Sequence, residues 1–210
     1  MKINEIVFNN FSNKFEESLL QEICNNGILK HAEQDKILLE IRREIQFIPI
    51  IVSGIAKVMR RDGKGNGIFL HYLSKNQSSA IAINYAYEGK KSEIRIKADG
   101  NISYIAIPVK AVNLWFKKYE SWRLFCSKLQ LKQTSILLDK ISDIAFTNLE
   151  SRLIKYLEDT SMAYNDNVIY KKHFDIARDL KVSREAVSRL LKKLETKDII
   201  TLGRNKIILN

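Results

Sequence analysis

The residues best equipped for chemistry lie between positions 183 and 193 of this 210-residue sequence. One short stretch combines hydroxyl, guanidinium, carboxylate and ammonium groups: Ser183, Arg184, Glu185, Ser188, Arg189, Lys192 and Lys193. Arginine and glutamate side chains hydrogen-bond base edges in the DNA major groove, and lysine ammonium groups suit phosphates. The pattern therefore predicts a contact with nucleic acid rather than a reaction centre.

Two short helices joined by a tight turn would position these side chains. Apolar residues at helical spacing predict the buried face of the second helix: Ala186, Val187, Leu190, Leu191 and Leu194. The first helix would bury Phe174, Ile176, Ala177 and Leu180. Ser183 is a natural N-cap for the second helix, and Val182 would fill the turn. This spacing is typical of a helix-turn-helix.

The charge distribution favours a polyanionic partner. Lys+Arg number 35 and Asp+Glu number 24, which gives a formal net charge of +11. The segment 199–209 has apolar runs on both sides of Gly203-Arg204-Asn205-Lys206, which predicts a basic β-hairpin, or wing. Arg204 and His173, beside the first helix, are expected to contact phosphate. A charged helix face alone is usually solvated surface, but its combination with the turn, the cap and the wing favours DNA binding.

Several other classes of protein are not expected. Cys24 and Cys126 lie far apart and match no zinc or iron–sulfur spacing, and the absence of a disulfide pattern suits the cytoplasm. The N-terminus has no signal peptide, and the apolar stretch 45–56 is too short to span a membrane. The glycine-rich segment 61–67 precedes a strand pattern and predicts a hairpin loop rather than a phosphate site. No catalytic motif or metal-ligand spacing is present, so we do not expect an enzyme.

The first half of the chain has a β-type pattern. Short apolar runs recur about every ten residues and predict an antiparallel barrel or roll: residues 37–41, 47–52, 55–59, 67–73, 80–87, 93–98 and 102–107. Before them, Phe11, Phe15 and Leu19 predict a helix that ends at Asn25-Asn26-Gly27.

The pattern becomes helical after Pro108. Segments 109–118, 121–146 and 147–163 predict three helices, and Thr147 with Glu150 has capping-box spacing. Apolar residues repeat every seven positions along the long helix, and Ile141 widens the apolar surface. We predict that this surface is the homodimer interface: Leu124, Leu131, Leu138, Ile141 and Ala145. Trp122, Leu129 and Ile136 form a second stripe. A helix that is apolar on more than one face would place one face on the β-roll and one on a partner helix. The alternative is a helix buried in a monomeric core.

These motifs together resemble the Crp/Fnr superfamily of bacterial transcription regulators. SREAVSRLLKKLE, preceded by HFDIARDLKV, resembles the recognition unit, and IPIIVSGIAKVMRRDGKGNGIFLHYL resembles the cyclic-nucleotide-binding-type sensor roll. The resemblance implies an α+β fold: an N-terminal antiparallel β-roll or jelly roll (1–120), a dimerisation helix (121–146) and a C-terminal winged helix-turn-helix (147–210). It further implies a homodimer that binds a near-palindromic operator in double-stranded DNA and meets RNA polymerase.

The resemblance carries over to individual residues. It implies that Arg184, Glu185 and Arg189 read base edges, and Glu185, Ser188 and Arg189 match the E-x-x-S-R pattern of the Fnr branch. Lys172 departs from the family, which usually caps the first helix with Ser or Thr.

The effector stays unknown. Cyclic-AMP-binding members have Gly-Glu and, about ten residues on, Arg-Ser, where this chain has Ala80-Ile81 and Ser92-Glu93. Glu88-Gly89 has the reverse order and predicts a hairpin turn. Lys91 or Arg95 would pair with a cyclic phosphate only if turned inward, so cyclic AMP is not expected to bind. Cys24 alone cannot hold an iron–sulfur cluster, and a lone His31 or His71 is a weak indication of haem.

Two other functions fit parts of the sequence. A small-molecule sensor that does not bind DNA would leave the basic recognition helix unexplained. A cupin-type enzyme needs two or three closely spaced histidines in its strands, and the roll offers His71 alone.

Overall fold

The computed structural model describes residues 2–61, 67–146 and 148–210. The elements in chain order are α1 (Ile3–Phe11), α2 (Glu17–Asn26), β1 (Ile28–Ala32), β2 (Ile37–Leu39), β3 (Phe47–Ser53), β4 (Ala56–Arg61), β5 (Gly67–Leu73), α3 (Ala80–Tyr87), β6 (Ile94–Ala98), β7 (Ile102–Pro108), α4 (Val109–Lys118), α5 (Glu120–Phe146), α6 (Leu149–Tyr164), β8 (Val168–Ile169), α7 (His173–Leu180), α8 (Arg184–Glu195), β9 (Ile200–Gly203) and β10 (Lys206–Leu209). They form two compact units, Met1–Arg61 with Leu70–Ile136, and Asp62–Phe69 with Leu137–Asn210.

The first unit is built on two antiparallel sheets, as the predicted β-roll requires. One sheet has the strand order β1-β7-β3 and the other β2-β6-β4-β5. Ile50 pairs with Ile105 in the first sheet, and Val58 pairs with Ile96 in the second. These four side chains are completely buried. Buried and half-buried residues alternate along β6, whereas residues 48–52 of β3 are all buried, so the first sheet is covered on both faces.

Aromatic side chains join the helices of the first unit. Phe15 lies between Phe11 and Trp122, with ring centroids 5.4 and 6.0 Å away, and Trp115 meets Trp122 edge to face at 5.2 Å. Both tryptophans are fully buried. Rings of this size bury much apolar surface, so the cluster stabilises the packing of the N-terminal helices against α4 and α5.

Residues 80–87 form a helix, so the predicted strand was wrong. Ser79 begins α3, since its Oγ accepts a hydrogen bond from the Ala82 amide at 3.3 Å. Alanines recur at several positions of this segment. Because they lie on more than one side of the helix, the 3.6-residue spacing of apolar residues was not visible in the sequence. Glu88-Gly89 ends this helix instead of forming a hairpin turn, and Gly89 adopts a φ of +66°.

The N-terminal helical segment also differs from the prediction. It forms two helices rather than one, because α1 ends at Phe11 and α2 begins at Glu17. The predicted stop is confirmed. A Cβ at Gly27 would lie 2.6 Å from the Ile23 carbonyl oxygen and 2.7 Å from Ile105, so the chain needs glycine there. Strand β1 follows directly and was not predicted, while most of the predicted 61–67 loop lies outside the described residues.

Glu22 connects α2 to the end of α4. Its carboxylate accepts hydrogen bonds from Trp115 Nε1 at 2.5 Å, Lys118 Nζ at 2.6 Å and Tyr119 Oη at 2.7 Å. The hydrogen bond from Lys118, reinforced by those from Tyr119 and Trp115, lowers the pKa of Glu22 against the opposing effect of burial. The ionised carboxylate is therefore the form that holds the two helices together.

Glu22→Gln should lower the free energy of unfolding of the first unit by about 1–3 kcal/mol at neutral pH, because charged hydrogen bonds are removed. The pKa of Glu22 is lower in the folded state, so its stabilisation is complete above the unfolded-state pKa and disappears as the pH falls through the folded-state pKa. Urea unfolding followed by tryptophan fluorescence reports this unit, which contains both tryptophans. Exposed Glu44→Gln is the control, and equal losses of stability in both variants would contradict the prediction.

The second unit contains the predicted helix-turn-helix and wing. The strand order β8-β10-β9 gives a small antiparallel sheet in which Ile200 and Ile207 are buried. Asn148 caps α6 by accepting a hydrogen bond from the Ser151 amide at 3.0 Å, and Thr147, the predicted cap, lies outside the described residues. No helix in the described part of the chain is both long and apolar enough to cross a lipid bilayer.

Candidate nucleic-acid interface

The turn between α7 and α8 has the predicted cap. Lys181 ends α7 in a left-handed conformation with a φ of +57°, and the Val182 amide donates to the Ala177 carbonyl at 3.0 Å. Ser183 Oγ then accepts a hydrogen bond from the Ala186 amide at 3.1 Å. The Ser183 hydroxyl thus satisfies one of the free donors at the start of α8.

Packing between the two helices follows the sequence pattern with one exception. The buried residues on α7 and α8 include Ile176, Ala177, Val187, Leu191 and Leu194. Phe174 was predicted to lie inward, and this was wrong, because 60% of it is exposed. It lies two residues before Ile176, which places it on the other side of α7, and the Arg178 guanidinium lies 5.8 Å from its ring.

The opposite face of α8 is exposed and polar. Arg184, Glu185, Arg189 and Lys192 are all exposed, and Arg189 follows Glu185 by one helical turn. The first helical turn thus offers both donors and an acceptor, and the cations continue toward the carboxyl end. A helix of this kind can present donors and acceptors to base edges from its amino-terminal half.

His173 and Ser188 lie together between the two helices. His173 Nδ1 is 2.9 Å from Ser188 Oγ, within hydrogen-bonding distance. Both residues were predicted to contact DNA, and the structure places them in contact with each other. Burial, and secondarily the positive charge of Arg184, lowers the pKa of His173 from its ordinary value of 6.5.

A basic groove runs beside His173 and was only partly predicted. Its walls come from the start of α7, the start of α8 and the wing: Lys171, Lys172, His173, Phe174, Arg184, Gly203, Asn205, Lys206 and Ile207. Lys172 occupies the N-cap position of α7 without a side-chain capping bond, as its departure from the usual Ser or Thr suggests. Lys171 and Lys206 were not among the residues predicted to contact DNA. The signal was visible in the sequence, because two consecutive lysines precede the first helix and the wing turn is basic.

The predicted wing residue Arg204 lies at the turn between β9 and β10. It is exposed, and Asn205 beside it has a φ of +60°, which allows the tight reversal. The wing is attached to α8, since the Leu202 amide donates to Glu195 Oε1 at 2.9 Å. Arg204 is thus carried on a hairpin whose position is fixed relative to α8.

Lys193 has a structural contact that the sequence did not suggest. Its Nζ lies 2.6 Å from Glu150 Oε2 on α6, and Lys197 Nζ lies 2.6 Å from Oε1 of the same carboxylate. The hydrogen bonds from Lys193 and then Lys197 lower the pKa of Glu150. Lys193 therefore connects α8 to α6, although it is exposed, as Lys192 on the polar face is.

The predicted dimer stripe lies on the exposed side of α5. Exposed fractions are 52% for Leu124, 74% for Leu131, 58% for Leu138 and 63% for Ile141. The side chain of Ala145 lies outside the described residues. The other predicted stripe, represented by Trp122 and Leu129, is buried in the first unit, so α5 has one apolar face inside and another outside.

The positions at which the resemblance would place a cyclic-nucleotide cassette have other contacts in this structure. Ala80 and Ile81 begin α3, while Ser92 is buried and its Oγ donates to the Ile94 carbonyl at 2.7 Å. Arg95 lies on the outer face of β6 and bonds Glu40 through Nε at 3.1 Å and Nη2 at 2.7 Å. Lys91 and Glu93 are exposed. Within the described ranges, no three His, Cys, Asp or Glu side chains are grouped to hold a metal ion.

Comparison with known proteins supports a common architecture. No family model matches the chain, and no curated protein matches it in sequence. A structure described as a Crp/Fnr family transcriptional regulator from Eubacterium rectale superposes with a TM-score of 0.79 at 20% identity, covering 96% of this chain and 94% of that one. The chain has a Crp/Fnr fold. This confirms the α+β fold class that the sequence resemblance implied.

Two further structures superpose on most of this chain. The c-di-GMP responsive global regulator CLP of Xanthomonas campestris gives a TM-score of 0.76 at 15% identity, with coverage of 92% and 99% for this chain and that one. FixK2 of Bradyrhizobium japonicum gives 0.73 at 13% identity, with coverage of 88% and 92%. At these identities the likeness concerns the fold, so the function must be argued from the residues.

The imidazole of His173 should titrate below pH 6.5, and its midpoint should rise when double-stranded DNA is added. Phosphates favour the imidazolium, whereas Arg184 opposes it in the free protein and Lys171, Lys172 and Lys206 line the same groove. DNA affinity should therefore increase as the pH falls through that midpoint. NMR titration of the imidazole C2 protons measures this in a chain with 3 histidines. His173→Gln identifies the signal, and a midpoint that DNA leaves unchanged would contradict the prediction.

Proposed function

We propose that the chain is a sequence-specific DNA-binding regulator of transcription of the Crp/Fnr type, which acts as a homodimer on a near-palindromic operator. The observation that carries this proposal is the second helix of the helix-turn-helix. Ser183 caps it, its apolar side is buried, and its exposed side presents Arg184, Glu185 and Arg189 beside a basic wing. Such a helix can enter the major groove of duplex DNA.

Each group on α8 has a role in this proposal. Arg189 can donate hydrogen bonds from its two terminal nitrogens to O6 and N7 of guanine, and Glu185 can accept a hydrogen bond from the amino group of cytosine. Arg184 and Ser183 lie at the amino terminus of the helix, where donors meet the backbone or the outermost bases. Lys192 lies two turns further along, where the helix leaves the groove floor, and suits a phosphate.

The basic groove and the wing extend the contact to the DNA backbone. Lys171, Lys172 and Lys206 border the groove, and Arg204 lies at the wing turn. Each phosphate neutralised by such a cation releases condensed counterions, which gives affinity without base preference. In this division, α8 selects the base sequence, and the groove sets the orientation of the protein on the duplex.

The exposed stripe on α5 is proposed to pack against the same stripe of a second copy. Leu124, Leu131 and Leu138 recur every seven residues, the repeat that lets two helices bury one seam along their length. A two-fold dimer has two symmetry-related copies of α8, which would read the same sequence on opposite strands. Its operator should therefore be a near-palindrome. A regulator of this type works in the cytoplasm without catalysing a reaction, and it acts by affecting RNA polymerase.

Salt titration of DNA binding tests the proposal. Fluorescence anisotropy should show that the protein binds random-sequence duplex DNA with an affinity that falls steeply with salt, with a slope proportional to the number of phosphates contacted. Lys172→Ala combined with Lys206→Ala should reduce that slope by about four for a dimer, because both lysines occur in each copy and each contact contributes roughly one. A protein that shows no salt-sensitive binding to duplex DNA would be better explained as a sensor that does not bind DNA.

A further inference from the structure

Gln133 is a polar side chain buried on the inner face of α5. Only 5% of it is exposed. Its Oε1 accepts a hydrogen bond from the Ala80 amide at 2.9 Å, and its Nε2 donates to the Ser78 carbonyl at 2.7 Å. Both ends of the carboxamide are thus engaged at the amino terminus of α3. We refer to this pair of hydrogen bonds as the amide bridge.

The amide bridge attaches to a segment that is itself fixed to a central strand. Ser78 Oγ donates to the Pro49 carbonyl at 2.7 Å. The Ile51 amide donates to the Gln77 carbonyl at 2.9 Å, and the Asn76 amide donates to the Ile51 carbonyl at 2.8 Å. Residues 76–78 therefore lie alongside β3, and through them the amide bridge connects α5 to the β1-β7-β3 sheet.

The position of Gln133 relates it directly to the exposed stripe. The inner face of α5 consists of Trp122, Cys126, Leu129 and Gln133, all buried. At 3.6 residues per turn, Leu131 lies about 160° around the helix from Gln133. Gln133 is also close to the residue at which α5 passes from one compact unit to the other, since the first ends at Ile136 and the second resumes at Leu137.

Hydrogen bonds fix a helix rotation more strictly than apolar contacts do. Leucine at position 133 would tolerate small rotations of α5, because dispersion contacts have no preferred direction. A carboxamide requires its donor and acceptor to be aligned, and rotation would leave the Ala80 amide and the Ser78 carbonyl buried without this partner. A buried polar residue can specify the register of packed helices in this way.

We propose that Gln133 is a positioning residue, whose amide bridge sets the rotation of α5 and thereby directs the leucine stripe toward the second copy. This inference rests on the proposed dimer. The direction of the leucine stripe then depends on a contact inside each first unit and not on the leucines alone.

Disulfide cross-linking measures the rotation. The experiment uses full-length protein with Cys24→Ser. Burial raises the pKa of the Cys126 thiol to about 12, which keeps that thiol unreactive. Leu131→Cys should cross-link two copies faster than Lys132→Cys, whose position is about 100° further around α5. Adding Gln133→Ala should reduce the ratio of the two rates by about tenfold, the effect expected from removing two hydrogen bonds.

Matched variants separate positioning from stability. Gln130→Ala removes the same groups from an exposed position one turn earlier and should leave the ratio unchanged. If Gln133→Ala does not fold, Gln133→Met keeps most of the side-chain volume without either hydrogen bond, and it should lower the ratio to the same extent. A lower melting temperature with an unchanged ratio would overturn the inference while leaving the dimer intact. Failure of Leu131→Cys to cross-link when Gln133 is present would contradict the dimer, and the inference with it.

Discussion

Replacing Leu131 and Leu138 together by aspartate should convert the protein to monomers and abolish high-affinity operator binding. The leucines are exposed in the single chain and lie one heptad apart, so a second copy would bury both. Loss of a buried leucine costs about 2–5 kcal/mol, and aspartate adds the cost of burying a charge. Because each change occurs once in each copy, the combined effect exceeds the stability of an ordinary dimer.

Sedimentation equilibrium and fluorescence anisotropy on the same samples measure both consequences. Gln130→Asp is a suitable control, since it adds a charge at an exposed position about 100° around α5 from Leu131. The control should remain a dimer and bind DNA normally. If the double variant sediments as a dimer, the stripe is not the interface and the copies associate through another surface.

Truncating Arg189 to alanine should reduce affinity for the operator by about 1–3 kcal/mol and relax the base preference at one position in each half-site. Lys192→Ala should instead weaken all sequences alike and reduce the salt slope by about one for each phosphate that it no longer neutralises. Lys192 is a better comparison than Lys193, which bonds Glu150 and would also disturb the packing of α8 on α6.

Competition binding against single-base variants of the operator, repeated at several salt concentrations, separates these effects. Since a dimer repeats each contact, both changes should appear twice, at symmetric positions. A uniform loss of affinity in Arg189→Ala, with base preferences unchanged, would show that Arg189 contacts a phosphate. The orientation of α8 in the groove would then need to be revised.

Local spacing was sufficient to predict the helix-turn-helix. Ser183, the apolar positions of α8 and the basic hairpin after it lie within a short stretch, so neighbouring residues determine the cap, the buried face and the wing. The heptads of α5 were visible for the same reason, since a regular helix converts sequence spacing directly into a face.

Helix α3 and Phe174 show where local pattern was ambiguous. The segment 80–87 is apolar except for Asn84, and such a run does not distinguish a buried strand from a short buried helix. Ser79 was the discriminating signal, because it can cap a helix. Phe174 is large and apolar and so was expected inside, although its helical position relative to Ile176 puts it on the exposed side.

The contacts of Glu22 and Gln133 were beyond prediction from the sequence. Glu22 meets partners 93 to 97 residues away, and Gln133 meets partners 53 and 55 residues away. Nothing in the sequence around either residue indicates which distant group it will reach. Such pairings depend on how complete elements pack, so they become visible only in the folded chain.

Selection from a random duplex library is the most direct test of sequence-specific binding by a dimer. Purified protein should enrich a motif made of two inverted half-sites with centres about 34 Å apart, one turn of DNA. Arg189→Ala should enrich the same motif with one degenerate position in each half. Salt-sensitive binding that enriches no motif, or a motif without two-fold symmetry, would contradict the account.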